Sequence, residues 1–207
     1  MSTRRLAPTR MNLLRARREL ARVHRGVALT RRKREALVME LFAAARPAVA
    51  FRAEMTEAVT HASLSLADAL AVHGAHGLHV MAMPLHEPRV ELRSTMVWGI
   101  AVDDVIERSP VVRSIDARGL APAITGPATA DTAERFERLV ELLIDAAPRE
   151  QRMRRLGDAL AQANRRLRTL EQRVAPALTA SISAVRGQLE EREREEQLRL
   201  RHVLRHG

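Results

Sequence analysis

The sequence predicts a mainly α fold: a long antiparallel two-helix coiled coil from the N- and C-terminal helices, with a small central head containing a short β-hairpin. Three observations predict it. Only 2% of the residues are aromatic, with three Phe, one Trp and no Tyr. The large rings that fill most compact cores are therefore scarce, and a core of Leu, Ala and Val suits narrow helix–helix seams. Two apolar stripes with heptad spacing occupy the two ends of the chain. A stretch dense in Gly and Pro separates them. The abundance of Ala, Glu, Leu and Arg is the composition of long helices.

The first stripe alternates steps of three and four through Leu13, Ala16, Leu20, Val23, Val27, Thr30, Arg34, Leu37, Leu41, Ala44, Ala48, Phe51, Met55, Ala58, Ala62, Ser65 and Ala69. All but Thr30, Arg34 and Ser65 are apolar, which over so many heptads marks a left-handed coiled coil. Thr9 can cap the helix by accepting from a free first-turn N–H. Pro47 removes one donor inside the pattern and should kink the helix rather than end it.

The second stripe runs through Met153, Leu156, Leu160, Ala163, Leu167, Leu170, Val174, Leu178, Ile182, Val185 and Leu189. Two successive steps of four meet at Val174, a stutter that relaxes the supercoil locally, and Pro176 falls there. Phe136, Leu139, Leu143 and Ile144 mark an earlier helical stretch that begins near Asp131, with a kink expected at Pro148. Neither stripe can stay in water, so each is expected to cover the other. An antiparallel pairing sets the basic N-terminal segment beside Glu190, Glu191, Glu193, Glu195 and Glu196. Exposed pairs contribute at most about 1 kcal/mol each, so they choose orientation more than they stabilise.

Between the stripes, His73-Gly74-Ala75-His76-Gly77, Pro84, Pro88, Gly99, Pro110, Gly119, Pro122, Gly126 and Pro127 should end the helical regime. Within this region Arg89-Val90-Glu91-Leu92-Arg93 alternates polar and apolar, and Val97 to Ile106 is rich in β-branched residues, which predicts one or two short strands. The expected organisation is an N-terminal coiled-coil helix over 1–70, a central head over 71–130 and a C-terminal coiled-coil helix over 131–207.

The net charge is +10 over 207 residues. Its location matters more than its size. Residues 1–34 hold eleven Arg and Lys33 against Glu19 alone, a net +11, while the rest holds 23 basic and 24 acidic residues. One end should therefore meet an acidic surface or a polyanion. There are no cysteines, which removes disulfides and thiolate metal sites. No apolar run approaches the roughly 20 residues that span a bilayer, and the N-terminal residues lack the apolar core of a secretory signal. A cytoplasmic protein without a transmembrane segment is expected.

Several residues invite chemistry. His73, His76, His79 and His86 are close in sequence, but a zinc site needs three or four converging ligands, and loop histidines beside glycines are the commoner explanation. Asp103, Asp104 and Glu107 could do acid–base work in an apolar pocket; without one they read as a docking surface. Trp98 reads most simply as a core anchor of the head, with a partner contact as the second reading. Arg4, Arg5, Arg10, Arg15, Arg17, Arg18, Arg22 and Arg25 could bind phosphate backbones, although the aromatic residues that stack on single strands are missing. No Gly-x-x-x-x-Gly-Lys-Ser/Thr occurs to cradle a nucleotide, and Gly126-Pro127-Ala128 reads as a turn. No catalytic residue, cofactor or metal site is expected.

Three segments taken together resemble a known family. They are Pro8-Thr9-Arg10-Met11-Asn12-Leu13-Leu14 with the basic helix through Lys33-Arg34-Glu35-Ala36-Leu37, then Val97-Trp98-Gly99, then Arg165-Arg166-Leu167-Arg168-Thr169-Leu170-Glu171 with Val174-Ala175-Pro176 and Leu189-Glu190-Glu191-Arg192-Glu193-Arg194-Glu195-Glu196. Their order and spacing resemble the D subunit of the V-type (A/V-type) ATP synthase/ATPase over nearly the whole chain. The resemblance implies a non-catalytic central-stalk rotor that passes torque between ATP chemistry in the hexamer of catalytic A and non-catalytic B subunits and ion transport through a membrane ring. It implies as partners the A and B subunits, the F subunit and a connector above the membrane ring, and a cytoplasmic location peripheral to the membrane, with no direct nucleic-acid binding. The hexamer-facing shaft would include Arg10, Met11, Leu14, Arg18, Arg25, Glu191 and Arg194, and docking at the foot would use Trp98, Asp103 and Asp104. The alternative from the residues alone is a basic coiled-coil adaptor for nucleic acid or a protein assembly. The rotor of F-type synthases shares the coil but expects a larger α/β domain between its helices.

Overall fold

A computed structural model describes residues 7–81, 88–114, 116–118 and 122–206. Arg4, Arg5, Pro84, His86 and Gly119 lie outside them. The described chain is mainly helical with one antiparallel hairpin, as the sequence predicts. Helix α1 spans Arg10–Met81, strands β1 and β2 span Val90–Val97 and Ile100–Arg108, and helix α2 spans Pro122–Thr169. A π-helical turn over Leu170–Val174 joins α2 to helix α3, Ala175–His206. Contacts divide the chain into two units, Met1–Ala36 with Leu160–Gly207 and Leu37–Ala159.

In the first unit the start of α1 lies along the end of α2 and α3. Thr9 caps α1: its hydroxyl accepts from the Asn12 N–H at 3.2 Å, satisfying one of the orphan first-turn donors. Ala16 faces inward, as do Ala163, Leu167 and Val185. Arg10 pairs with Glu193 at 2.7 Å and Arg31 with Glu171 at 2.5 Å. As one partner number rises the other falls, so the helices run antiparallel. The rest of the acidic run makes pairs along its own helix, Glu190 with Arg186 and Glu191 with Arg194.

The π turn explains how Pro176 is tolerated. The Ala175 N–H bonds back to the Leu170 carbonyl, five residues earlier. Pro176 has no N–H, and its ring would crowd the carbonyl four residues before it in a regular helix. Widening one turn relieves that clash and absorbs the extra residue. The stutter in the apolar spacing at Val174 is the sequence trace of this turn.

In the second unit α1 lies along α2. The Thr132 hydroxyl donates across to the Ser65 carbonyl at 2.8 Å, Arg149 stacks over the Phe51 ring at 4.4 Å, and Arg152 pairs with Glu40 at 3.4 Å. This pairing is also antiparallel. Leu37 and Leu156 are wholly buried, and Ala62, Ser65 and Ala69 line the seam opposite Thr129 and Thr132 at the other end. Small residues there let two helices approach closely.

The breakers act differently from the sequence expectation. Both helices run unbroken through Pro47 and Pro148. The helical regime also continues past residue 70, with only Gly74 leaving helical geometry, at φ 67° and ψ 168°. In α2 the matching residue is Gly126, at φ 64° and ψ 164°. That backbone region is open essentially to glycine alone. Pro127 then starts the regular helix, because its missing N–H is not needed in a first turn. The two glycine breaks belong together: a methyl group on Gly126 would stand 3.7 Å from His73 Nε2.

Strands β1 and β2 pair with Val90 opposite Arg108 and Val97 opposite Ile100, with an irregularity between Glu91 and Leu92. Trp98 and Gly99 form a two-residue turn with φ 53° and 79°. Positive φ at both central positions is the type I′ pattern, whose twist matches that of the strands.

Candidate interaction surfaces

Unit by unit, the expected site residues fall as follows. Arg10, Met11, Leu14, Arg18, Arg25, Glu191 and Arg194 are all exposed on the first unit. Their helices are held by the inward stripe, so these side chains point away from the seam. Every residue from Glu190 to Arg205 is exposed, including Leu198, Leu200, Val203 and Leu204. Several apolar side chains on one exposed helix end mark a surface that another molecule covers. Hydrogen bonding to Glu193, then its charge, raises the Arg10 pKa further, so Arg10 is a fixed cation.

In the second unit Trp98 corrects the core-anchor reading. It sits at the hairpin tip, 55% exposed, with positive φ. A bulky side chain at positive φ is an outlier, and the left-handed region costs a non-glycine residue roughly 1–2 kcal/mol. The residue that the head does bury is Val102. Leu92, Met96 and Ile106 are exposed beside the turn. Asp103 is taken up internally: Ser94 donates to it at 2.5 Å and Arg155 pairs with it at 3.0 Å. Arg155 also donates to the Ala101 carbonyl, so one guanidinium pins the hairpin to α2. Asp104, opposite Arg93 in the ladder, is exposed. A cavity of about 240 Å³ lies between Val90, Leu92 and Val105 of the hairpin and Ile144, Ala147 and Pro148 of α2.

The arrangement that sequence reasoning missed is a ladder of carboxylates on α2. Glu137, Glu141 and Asp145 recur every four residues and so share one face. The chain leaving β2 runs along them in the opposite direction. Arg108 reaches Asp145 and Glu141 at 3.1 Å each. Glu141 accepts the Val111 N–H at 2.9 Å. Glu137 accepts the Arg113 N–H at 2.9 Å and pairs with Arg113 and Arg118 at 3.2 and 2.8 Å. Burial alone would raise the Glu137 carboxyl pKa, but the Arg118 and Arg113 hydrogen bonds and the Arg118 charge outweigh it and hold it below the usual range. The Val111 amide lowers Glu141 most, against burial, with help from Val112 and Arg108. Arg108, Arg113 and Arg118, five apart opposite acids four apart, were the available signal.

His73, His76 and His79 lie on α1, and among the described residues no three His, Asp or Glu side chains converge as metal ligands. No described helix is long and apolar enough to cross a membrane.

The fold and its surfaces define a class: an antiparallel helical pair, broken by one β-hairpin, whose exposed features suit contact with other proteins. The ATP synthase D-subunit family matches residues 12–205, and the chain belongs to that family. It is 38% identical to the V-type ATP synthase D subunit of Anaeromyxobacter dehalogenans over 95% of this chain and 94% of the relative. It is 34% identical to the A-type ATP synthase D subunit of Methanoregula boonei over 100% and 99%, and 34% identical to the V-type D subunit of Thermus thermophilus over 96% and 87%. The nucleic-acid adaptor finds no support in these relationships.

Proposed function

We propose that this chain is the central-stalk rotor of a V-type ATP synthase/ATPase, passing torque between ATP chemistry in an A–B hexamer and ion transport through a membrane ring. Membership of the D-subunit family over nearly the full length carries this reading. The chain contributes no catalytic residue; nucleotide is handled by its partners. It works in the cytoplasm, peripheral to the membrane, with the F subunit and a ring connector as further partners. The first unit is the shaft: Arg10, Arg18, Arg25 and Arg194 meet acidic surfaces of the hexamer cavity, with Glu191 beside them, and Met11 and Leu14 meet apolar ones. An asymmetric shaft biases the catalytic sites into different states through differential contacts. The test is reconstitution with the A–B hexamer and an ATP hydrolysis readout. The chain should co-purify and change turnover; absence of both effects rejects the axle.

The second unit supplies the foot, through Trp98 and Asp104, with Asp103 shaping the hairpin through Arg155. Trp98→Asn separates docking from folding. Asn tolerates positive φ, so the melting temperature should hold or rise, while binding of the foot partners falls at least tenfold, measured by co-purification and titration. Weaker folding with unchanged binding would return Trp98 to a structural role.

A further inference from the structure

Within the second unit α1 is apolar on two sides. One side is the seam, carrying Leu41, Ala44, Ala48 and Phe51, all sheltered. At about 100° per residue, Met39, Phe42, Ala43, Val49, Ala50 and Ala53 fall on the side away from it. Met39, Phe42 and Val49 are 72%, 72% and 70% exposed. Isolated exposed apolar residues are ordinary, but a stripe with helical spacing over about four turns is a contact face.

Arg46 stands in the middle of this stripe and is exposed. Its neighbours three and four residues away on either side are Phe42, Ala43, Val49 and Ala50, so its own helix offers it no carboxylate. Arg46 also enters none of the ion pairs formed among the described residues. Covering the stripe would bury an unpaired guanidinium, which is strongly unfavourable unless the covering surface brings an acid. A second copy does not bring one: a parallel in-register pair, or an antiparallel pair centred here, sets Arg46 against Arg46.

We infer that the Met39–Ala53 face of α1 seats an amphipathic helix from a different protein of the same assembly, apolar along the contact and carrying one Asp or Glu level with Arg46. Ala43, Ala50 and Ala53 leave room for a close approach, and the Arg46–carboxylate pair fixes the register, as single polar positions do in coiled coils. Membership of a multisubunit stalk, the reading proposed above, supplies that protein. The surface itself comes from the exposures and the unpaired cation.

The test uses the assembled complex with a photoreactive phenylalanine, p-benzoylphenylalanine, in place of Phe42. Irradiation should join the chain to another protein of the complex, with the adduct mapping to a helix that has an Asp or Glu within about one turn. Arg46→Glu should weaken retention of that protein at least tenfold without changing helix content, and reversing the mapped acid to Lys should restore it. An adduct only to a second copy, no adduct, or unchanged retention in Arg46→Glu overturns the inference. Hexamer binding scored in the same preparation keeps the two readings apart. A retained hexamer without the adduct rejects this face alone; a lost hexamer rejects the axle.

Discussion

Glu137→Gln should destabilise the second unit by roughly 3 kcal/mol, in the range for breaking a buried ion pair by removing one partner. The Glu137 side chain is 10% exposed and so is that of Arg118. The amide keeps the shape but loses the charge, leaving Arg113 and Arg118 without their shared counter-ion. Chemical denaturation followed by circular dichroism checks the magnitude. The pH dependence checks the cause. The Glu137 and Glu141 carboxyls both lie below their ordinary 4.5 in the folded chain. Groups with depressed folded values stabilise fully above the unfolded value, and that stabilisation disappears as pH falls through the folded value. Wild-type stability should therefore decline below about pH 4.5, and Glu137→Gln should show a shallower decline. Parallel curves for the two proteins would mean the ladder does not hold the 108–118 segment.

Leu156→Ala should have an effect as large. Leu156 is wholly buried, like Leu37 in the same unit, and removing such a side chain costs about 2–5 kcal/mol through lost transfer energy and the cavity left behind. It follows Arg155, which pins the hairpin, so packing and tethering act at the same level of α2. The expected result is a large fall in denaturation midpoint, with α-helix content retained under native conditions. Leu198→Ala, on an exposed position, should change stability by less than about 0.5 kcal/mol, as surface substitutions usually do. Equal losses at both positions would contradict the assignment of the seam.

The helical framework was legible because its signal is periodic. Every position of both heptad stripes, from Leu13 to Ala69 and from Met153 to Leu189, is sheltered at least in part, and the residues between them are mostly exposed. The stutter at Val174 is a π turn. The hairpin was legible from alternation and from the Val97-Trp98-Gly99 break. What escaped depends on tertiary neighbours. Trp98 looked like a core residue because large rings usually are, yet a two-residue turn left it nowhere inward to go. Gly74 and Gly126 looked like helix ends, but packing of α1 on α2 carries the helices past them. The carboxylate ladder was invisible because acids four apart repel along an isolated helix; only the antiparallel run of Arg108, Arg113 and Arg118 makes them favourable. The interaction residues of the shaft and foot came from resemblance, and the structure adds their exposure and, for Asp103, an internal partner.

The central claim is rotation, and the cysteine-free sequence makes it directly measurable. Glu107→Cys places a unique thiol on exposed β2, to which a bead can be attached in a complex whose A–B hexamer is fixed to glass. The account predicts that the bead turns in one direction while ATP is hydrolysed and stops when ATP is withdrawn. A bead that stays still relative to the hexamer while hydrolysis continues would contradict it.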